Sequence, residues 1–341
     1  MSARRRPAGA ATVVAALLLA TLGVALGVAL AAPPAAAAPS PTGTFRLNGR
    51  LDSTCPRGHS CRGFDVSCPG ISRVARGFLA EPAKPRSPRG LVALFPGGSG
   101  KTWWLGDGPN AGPFLADLRD AGLHAIQIRW TVKWSMAPAG ERIGLARLAC
   151  RPATVVRYLR QTLYPQLGAP RHAAGVCGFC VVGNSWGSAQ AAYPLAYYGL
   201  DGMLDMVALA SGPTSTMLAA ACEGDPDYRI EAHTAEADAT YGFTGSDGPC
   251  ARENASWHDR WVADGVATGG KDYHHPATRV HVILGGSDKP AVHNHARAYE
   301  ARLRAAGTAE VTEEVIPGMG HSIKASAEGM KALLEALLRV G

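Results

Sequence analysis

The chain has 341 residues, 47% of them hydrophobic and 18% charged, with 41 glycines. A chain this apolar can bury a core, which excludes disorder, and glycine without a strict period excludes a collagen-like rod. The formal charge is +7, or +4 without Arg4, Arg5 and Arg6, and no Lys/Arg block makes the electrostatic footprint of a nucleic-acid binder.

Residues 1–38 read as an export signal. Arg4 to Arg6 form a positive start, residues 11–32 are uncharged, and Ala36-Ala37-Ala38 supplies the small residues of a cleavage site. An uncleaved membrane anchor is the competing reading. Much of the stretch is Ala and Gly, weak drivers of insertion, and Pro33-Pro34 ends any helix. The expectation is a secreted protein with no stable membrane association after signal removal, exported by the general or the twin-arginine route. Residues 39–73 read as a linker and a Cys-rich N-terminal arm.

From residue 74 strands and helices alternate. Val74–Ala80 opens a β-turn-β start, and Leu91–Phe95 is a short apolar run ending in a glycine loop. A helix is predicted over 111–121, a strand over His124–Trp130, and a helix over Leu148–Leu163 stopped by Gly168-Ala169-Pro170. Val176–Asn184 reads as a strand, 187–198 as a helix, and Met206–Ala210 and Val280–Leu284 as buried strands. A helix over 291–306, a strand over 310–316 and a helix over 324–339 follow. This alternation implies an α/β fold, a mostly parallel central sheet flanked by helices, with functional loops beyond the C-terminal strand ends. Residues 212–276, polar and rich in Gly, Asp and His, are expected to form a cap inserted after the sixth strand.

All eight cysteines lie between residues 55 and 250, and an even number in an exported chain points to disulfides. Two of Cys55, Cys61 and Cys68 are expected to staple the arm, and Cys222 and Cys250 to close the segment between them. Cys177 and Cys180 lead into a strand, where residues three apart stand about 10 Å from each other, too far to bridge. They are read as structural rather than redox-active cysteines.

The most informative residues are Gly183-Asn184-Ser185-Trp186-Gly187, a G-x-S-x-G between an apolar strand and a helix. The serine must sit on a turn so tight that its backbone is strained, and bulky residues two positions either side would clash. Here the sequence resembles the α/β-hydrolase superfamily, from about residue 74 to 341. The resemblance implies the order nucleophile, acid, histidine. Asp288 follows Gly285-Gly286-Ser287 at a strand tip, and His321 lies in Pro317-Gly318-Met319-Gly320-His321-Ser322 after the last strand. Taken alone, Asp288 could be a turn or N-cap residue and His321 a packed loop histidine. Asp205 and Asp264 are other acids, but Asp205 precedes its strand, at the wrong end of the sheet.

The resemblance implies that His321 takes the Ser185 proton and Asp288 orients the histidine. It implies an oxyanion hole with one donor from Trp186 N–H and one from Phe95-Pro96-Gly97-Gly98-Ser99-Gly100, where Gly98 is the first choice and Ser99 the next. Pro96 replaces the histidine usual in that loop. Trp103, Trp104, Trp130 and Trp134, with Trp186, are expected near the site as an aromatic wall for substrate. His274-His275 and His293-x-His295 lack metal-ligand spacing, so no metal and no cofactor are expected. The function implied is hydrolysis of a small-molecule or polymeric carboxylic ester through an acyl-enzyme. A serine peptidase, an acyltransferase or a non-catalytic binding protein on the same scaffold are the alternatives.

Overall fold

The computed structural model describes residues 38–106, 108–169, 176–245 and 247–339. Residues 1–37 of the expected export signal, and Pro170 of the expected helix stop, lie outside them. In chain order the strands are β1 (Thr44–Leu47), β2 (His59–Ser67), β3 (Ala75–Pro82), β4 (Gly90–Phe95), β5 (Leu123–Trp130), β6 (Phe179–Asn184), β7 (Met206–Ala210), β8 (Arg279–Gly285) and β9 (Val311–Ile316). The helices are α1 (Ala111–Asp120), α2 (Leu145–Leu148), α3 (Cys150–Tyr158), α4 (Tyr164–Gln166), α5 (Trp186–Tyr198), α6 (Leu218–Cys222), α7 (Glu231–Thr240), α8 (His258–Asp264), α9 (Pro290–Ala305) and α10 (Ala327–Leu338).

The strands form one sheet in the order β1-β2-β3-β5-β4-β6-β7-β8-β9. β1, β2 and β3 pair antiparallel with one another and β3 with β5; from β5 to β9 every pairing is parallel. The parallel strands are apolar without interruption because helices cover both faces. Along β4 the faces alternate: Leu91, Ala93 and Phe95 pack with residues of α3, α5 and α9, whereas Val92 and Leu94 pack with Phe114 and Leu118 of α1 and Leu333 and Leu337 of α10.

Three expectations need correction. The arm over 39–73 is no mere linker, since β1 and β2 extend the sheet, and Phe45 and Phe64 stack 5.1 Å apart against the core. Cys177 and Cys180 do form a disulfide, with Cα atoms 5.9 Å apart. The strand expected from Val176 starts only at Phe179, and a chain that is not yet extended brings the two residues within reach. Cys68 bridges to Cys150, tying the end of β2 to the start of α3, a pairing across the chain that local spacing does not reveal. Cys55–Cys61 and Cys222–Cys250 are bridged as expected.

The insertion between β7 and β8 carries α6, α7 and α8 around a small core of its own, with Leu218, Tyr241 and Trp261. It meets the start of α5, where the His233 ring lies 5.5 Å from that of Trp186. Asp264 of α8 accepts hydrogen bonds from Tyr241 Oη (2.7 Å) and from the Ala146 amide (3.2 Å), joining the insertion to α2. No helix among the described residues is long and apolar enough to cross a membrane.

Candidate active site

Ser185 stands between β6 and α5 with φ 55° and ψ −123°, a conformation that L-residues rarely adopt. The turn is held by Ser185 N–H donating to Ala210 O at 2.7 Å, and by Ser188 Oγ donating to the Gly183 and Ala210 carbonyls, both at 2.9 Å. Its glycines have a steric cause. A Cβ on Gly183 would stand 2.3 Å from Gly187 O, and one on Gly187 would stand 2.4 Å from Phe95 O. Only hydrogen fits at either position.

His321 reaches the serine from the loop after β9. Its Nε2 is 2.7 Å from Ser185 Oγ, and its Nδ1 is 2.8 Å from Asp288 Oδ2. A carboxylate can only accept, so Nδ1 carries the proton and donates it, leaving the Nε2 lone pair for the serine hydroxyl. Such a chain can remove the hydroxyl proton as the oxygen attacks an acyl carbon and stabilise the imidazolium that results. The Asp288 side chain is 2% exposed and that of His321 is 42% exposed, so the acid is enclosed while the base faces solvent.

The loops that carry the pair are laced together. Gly286 N–H donates to Ile316 O (2.8 Å) and Ser287 N–H to Met319 O (2.9 Å). Gly285 permits this approach, since a Cβ there would meet Met319 O at 2.4 Å. Asn184, inside the G-x-S-x-G, adds a link that sequence reading missed: its Oδ1 accepts from Ile323 N–H at 3.2 Å, tying the serine turn to the histidine loop.

Trp186 is the first residue of α5, where the helix leaves the backbone N–H unspent. The Gly97–Gly100 turn lies against the nucleophile, since a Cβ on Gly97 would stand 3.4 Å from Ser185 Cβ. Gly100 N–H closes the turn on Gly97 O at 3.2 Å, and Gly98 takes φ +56°, which suits glycine. The turn thus brings Gly97 against the serine, with Gly98 and Ser99 following it.

The tryptophans do not form the expected wall. Trp104, Trp130 and Trp134 are fully buried, and Trp103 is 7% exposed. Trp130 and Trp134 pass beneath the Gly97–Gly100 turn, where a Cβ on Gly100 would meet their rings at 2.9 and 3.3 Å, and Trp130 Nε1–H donates to Gln190 Oε1 at 2.6 Å. Trp103 packs with Phe78 and Ala80, and Lys324 Nζ lies 4.8 Å from the Trp104 ring centre. Large apolar bodies at strand ends gain more from the core than from solvent, so these four support the loops from below. Trp186 lines a small cavity.

His293 and His295 have other partners. His295 is buried, accepts from Met217 N–H at Nδ1 (3.3 Å) and meets Tyr228 O through Nε2 (2.9 Å); burial pulls its pKa down to about 4. His293 Nε2 meets Gly285 O at 2.9 Å. Among the described residues no cluster of His, Cys, Asp or Glu could hold a metal ion.

Among solved structures the chain is similar to Thermogutta terrifontis esterase 2 phosphoramylated by tabun, with TM-score 0.50 and 12% identity over 85% of this chain and 98% of that one. It is also similar to Pyrococcus horikoshii acylaminoacyl peptidase, with TM-score 0.51 and 13% identity over 83% of this chain and 42% of that one. The chain has the α/β-hydrolase fold. No family model and no curated protein sequence matches it. Within the α/β-hydrolase fold, the Ser185 turn follows a central parallel strand, and Asp288 and His321 follow β8 and β9, in the order read from the sequence.

Proposed function

We propose that the protein is a serine hydrolase of carboxylic esters, acting through an acyl-enzyme on Ser185. The observation that carries this reading is the unbroken hydrogen-bonded chain from Ser185 Oγ through His321 to Asp288, with the serine on a strained turn. In this reading His321 accepts the Ser185 proton as the acyl carbon is attacked and passes it to the leaving alcohol. Water, activated by the same histidine, then releases the acid. Trp186 N–H is the first oxyanion donor, and Gly98 or Ser99 supplies the second.

Export fits the same reading. Four disulfides persist only in an oxidising compartment, and the N-terminal sequence has the parts of an export signal. The test is turnover of p-nitrophenyl esters of short and long chain by the protein from Ala38 onward, beside Ser185→Ala. The expected outcome is turnover that the variant lowers by at least about 10⁴-fold, with fluorophosphonate labelling of Ser185 lost in parallel. Equal turnover by both proteins would remove Ser185 from the chemistry.

A further inference from the structure

The Gly97–Gly100 turn that lies against Ser185 is tied down from its far side by residues with no part in the steps above. Trp130 N–H, at the end of β5, donates to Gly100 O at 2.8 Å, and its neighbour Arg129 donates from Nη1 to Lys101 O at 3.3 Å. The Nε and Nη2 of the same guanidinium donate to Asp52 Oδ2 at 3.0 and 2.6 Å. Asp52 belongs to the N-terminal arm, between β1 and β2. Its Oδ1 accepts from the Thr54 amide (2.9 Å) and hydroxyl (2.8 Å), and Thr54 Oγ1 in turn accepts from Trp103 Nε1–H at 3.3 Å. Two residues on, Leu105 N–H donates to Gln127 Oε1 (2.9 Å), whose Nε2–H donates to His59 Nε2 (3.0 Å). The arm, closed by Cys55–Cys61, therefore grips the chain from Lys101 to Leu105 just beyond the turn.

The Arg129–Asp52 pair is enclosed. The Asp52 side chain is 3% exposed and that of Arg129 18%, and Arg129 Cζ stands 5.4 Å from the ring centres of both Phe78 and Trp103. Burial works against the Asp52 charge, but the Thr54 amide and Arg129 outweigh it and hold its pKa below the ordinary value, so the pair is ionised near pH 7. An enclosed ion pair need not add stability, because desolvation offsets its attraction. What it fixes is direction: a planar guanidinium held on one edge by a carboxylate aims its remaining nitrogen at one carbonyl. A turn with Gly97, Gly98 and Gly100 has wide backbone freedom of its own, so ties from outside select its conformation.

Resting on the serine-hydrolase reading, in which this turn supplies the second oxyanion donor, we propose that Arg129, held by Asp52, is a positioning residue that sets the Gly97–Gly100 turn against Ser185. The N-terminal arm is then part of what makes the site work. When Ser185 Oγ bonds to the acyl carbon, the carbonyl π pair moves onto oxygen and the serine proton moves to His321 Nε2. The donor for that oxyanion must already stand at hydrogen-bond distance, since a turn that has to rearrange spends the gain on its own ordering. A misplacement of about 1 Å by a group remote from the chemistry can cost on the order of 10²-fold in rate.

The test is Arg129→Met, which keeps an unbranched stem beside Phe78 and Trp103 and removes the donors. Turnover of a p-nitrophenyl ester is expressed per serine titrated to completion by a fluorophosphonate, so that misfolded protein is not counted. The expected result is a kcat lower by about tenfold or more, with KM changed less than about threefold. The Ki of an alkyl trifluoromethyl ketone, which Ser185 converts to a hemiketal oxyanion, should rise by a similar factor. Asp52→Asn should move both in the same direction by less, and Arg129→Lys, with the charge but not the fork, should recover part of the loss. If Arg129→Met does not fold, these two variants carry the same readouts. A lower denaturant midpoint with kcat per titrated serine and Ki unchanged would make the pair a structural tie only and overturn the proposal, as would a rise in KM alone. Failure of the underlying reading looks different and precedes any variant: the unaltered protein turns over no ester and Ser185 takes no fluorophosphonate.

Discussion

The serine turn and the insertion that faces it are built on opposite plans. The turn is fixed by backbone sterics: Gly183 and Gly187 have carbonyl oxygens where a Cβ would go, and Ser185 holds a strained φ. The insertion is pinned by side chains. Cys222 bridges Cys250, Asp238 accepts from the Cys250 and Ala251 amides at 2.8 and 3.0 Å, and Asp264 reaches Tyr241 and Ala146. A steric frame tolerates no substitution and ignores pH. A frame of side-chain anchors permits a variable wall between them, and answers to pH and reductant.

This contrast can be broken or sharpened by four changes, beginning with the largest. Asp288→Asn should lower kcat by about 10⁴-fold with little change in KM, because an amide nitrogen facing Nδ1 favours the wrong tautomer; steady-state kinetics on a p-nitrophenyl ester would read it. Gly187→Ala should destabilise the fold by more than about 4 kcal/mol, since the new methyl meets immovable backbone at Phe95 and Pro96. A denaturant midpoint close to that of the unaltered chain would show that the turn yields after all. Replacing both Cys222 and Cys250 by alanine frees a loop of 28 residues and should cost about 3–4 kcal/mol, again by denaturant unfolding.

The smallest effect belongs to Asp264. Burial raises its pKa from 3.8 to about 6, so the folded protein binds this proton more tightly than the unfolded chain does. Its contribution is fully present below about pH 4 and is lost as pH rises to about 6, an amount on the order of 3 kcal/mol. The stability of Asp264→Asn relative to the unaltered protein should therefore rise by that amount between pH 4 and pH 7. A difference independent of pH would mean that the carboxylate is solvated.

Those two plans also decided what could be read from the sequence. The serine turn was legible because each steric constraint demands one residue type, and the resemblance to the α/β-hydrolase superfamily supplied the order in which Asp288 and His321 were sought, in strand-end loops recognisable by glycine. The buried parallel strands announced themselves as unbroken apolar runs. β1 and β2 did not, because four residues are too few for a pattern and β2 mixes Arg62, Asp65 and Gly63 with its apolar positions. The tryptophans misled because a strand end supplies either a wall or a foundation, and only packing chooses between them.

The order of the sheet has a consequence for life at high concentration. A sheet ends in two strands with one row of backbone groups each left over, a standing invitation to another chain. Here one border is β1, only four residues long, and the other is β9, with Glu313 and Glu314 in mid-strand. A second copy laid antiparallel along β9 would set carboxylates against carboxylates. Both borders of the sheet are thus poor templates for strand-to-strand aggregation.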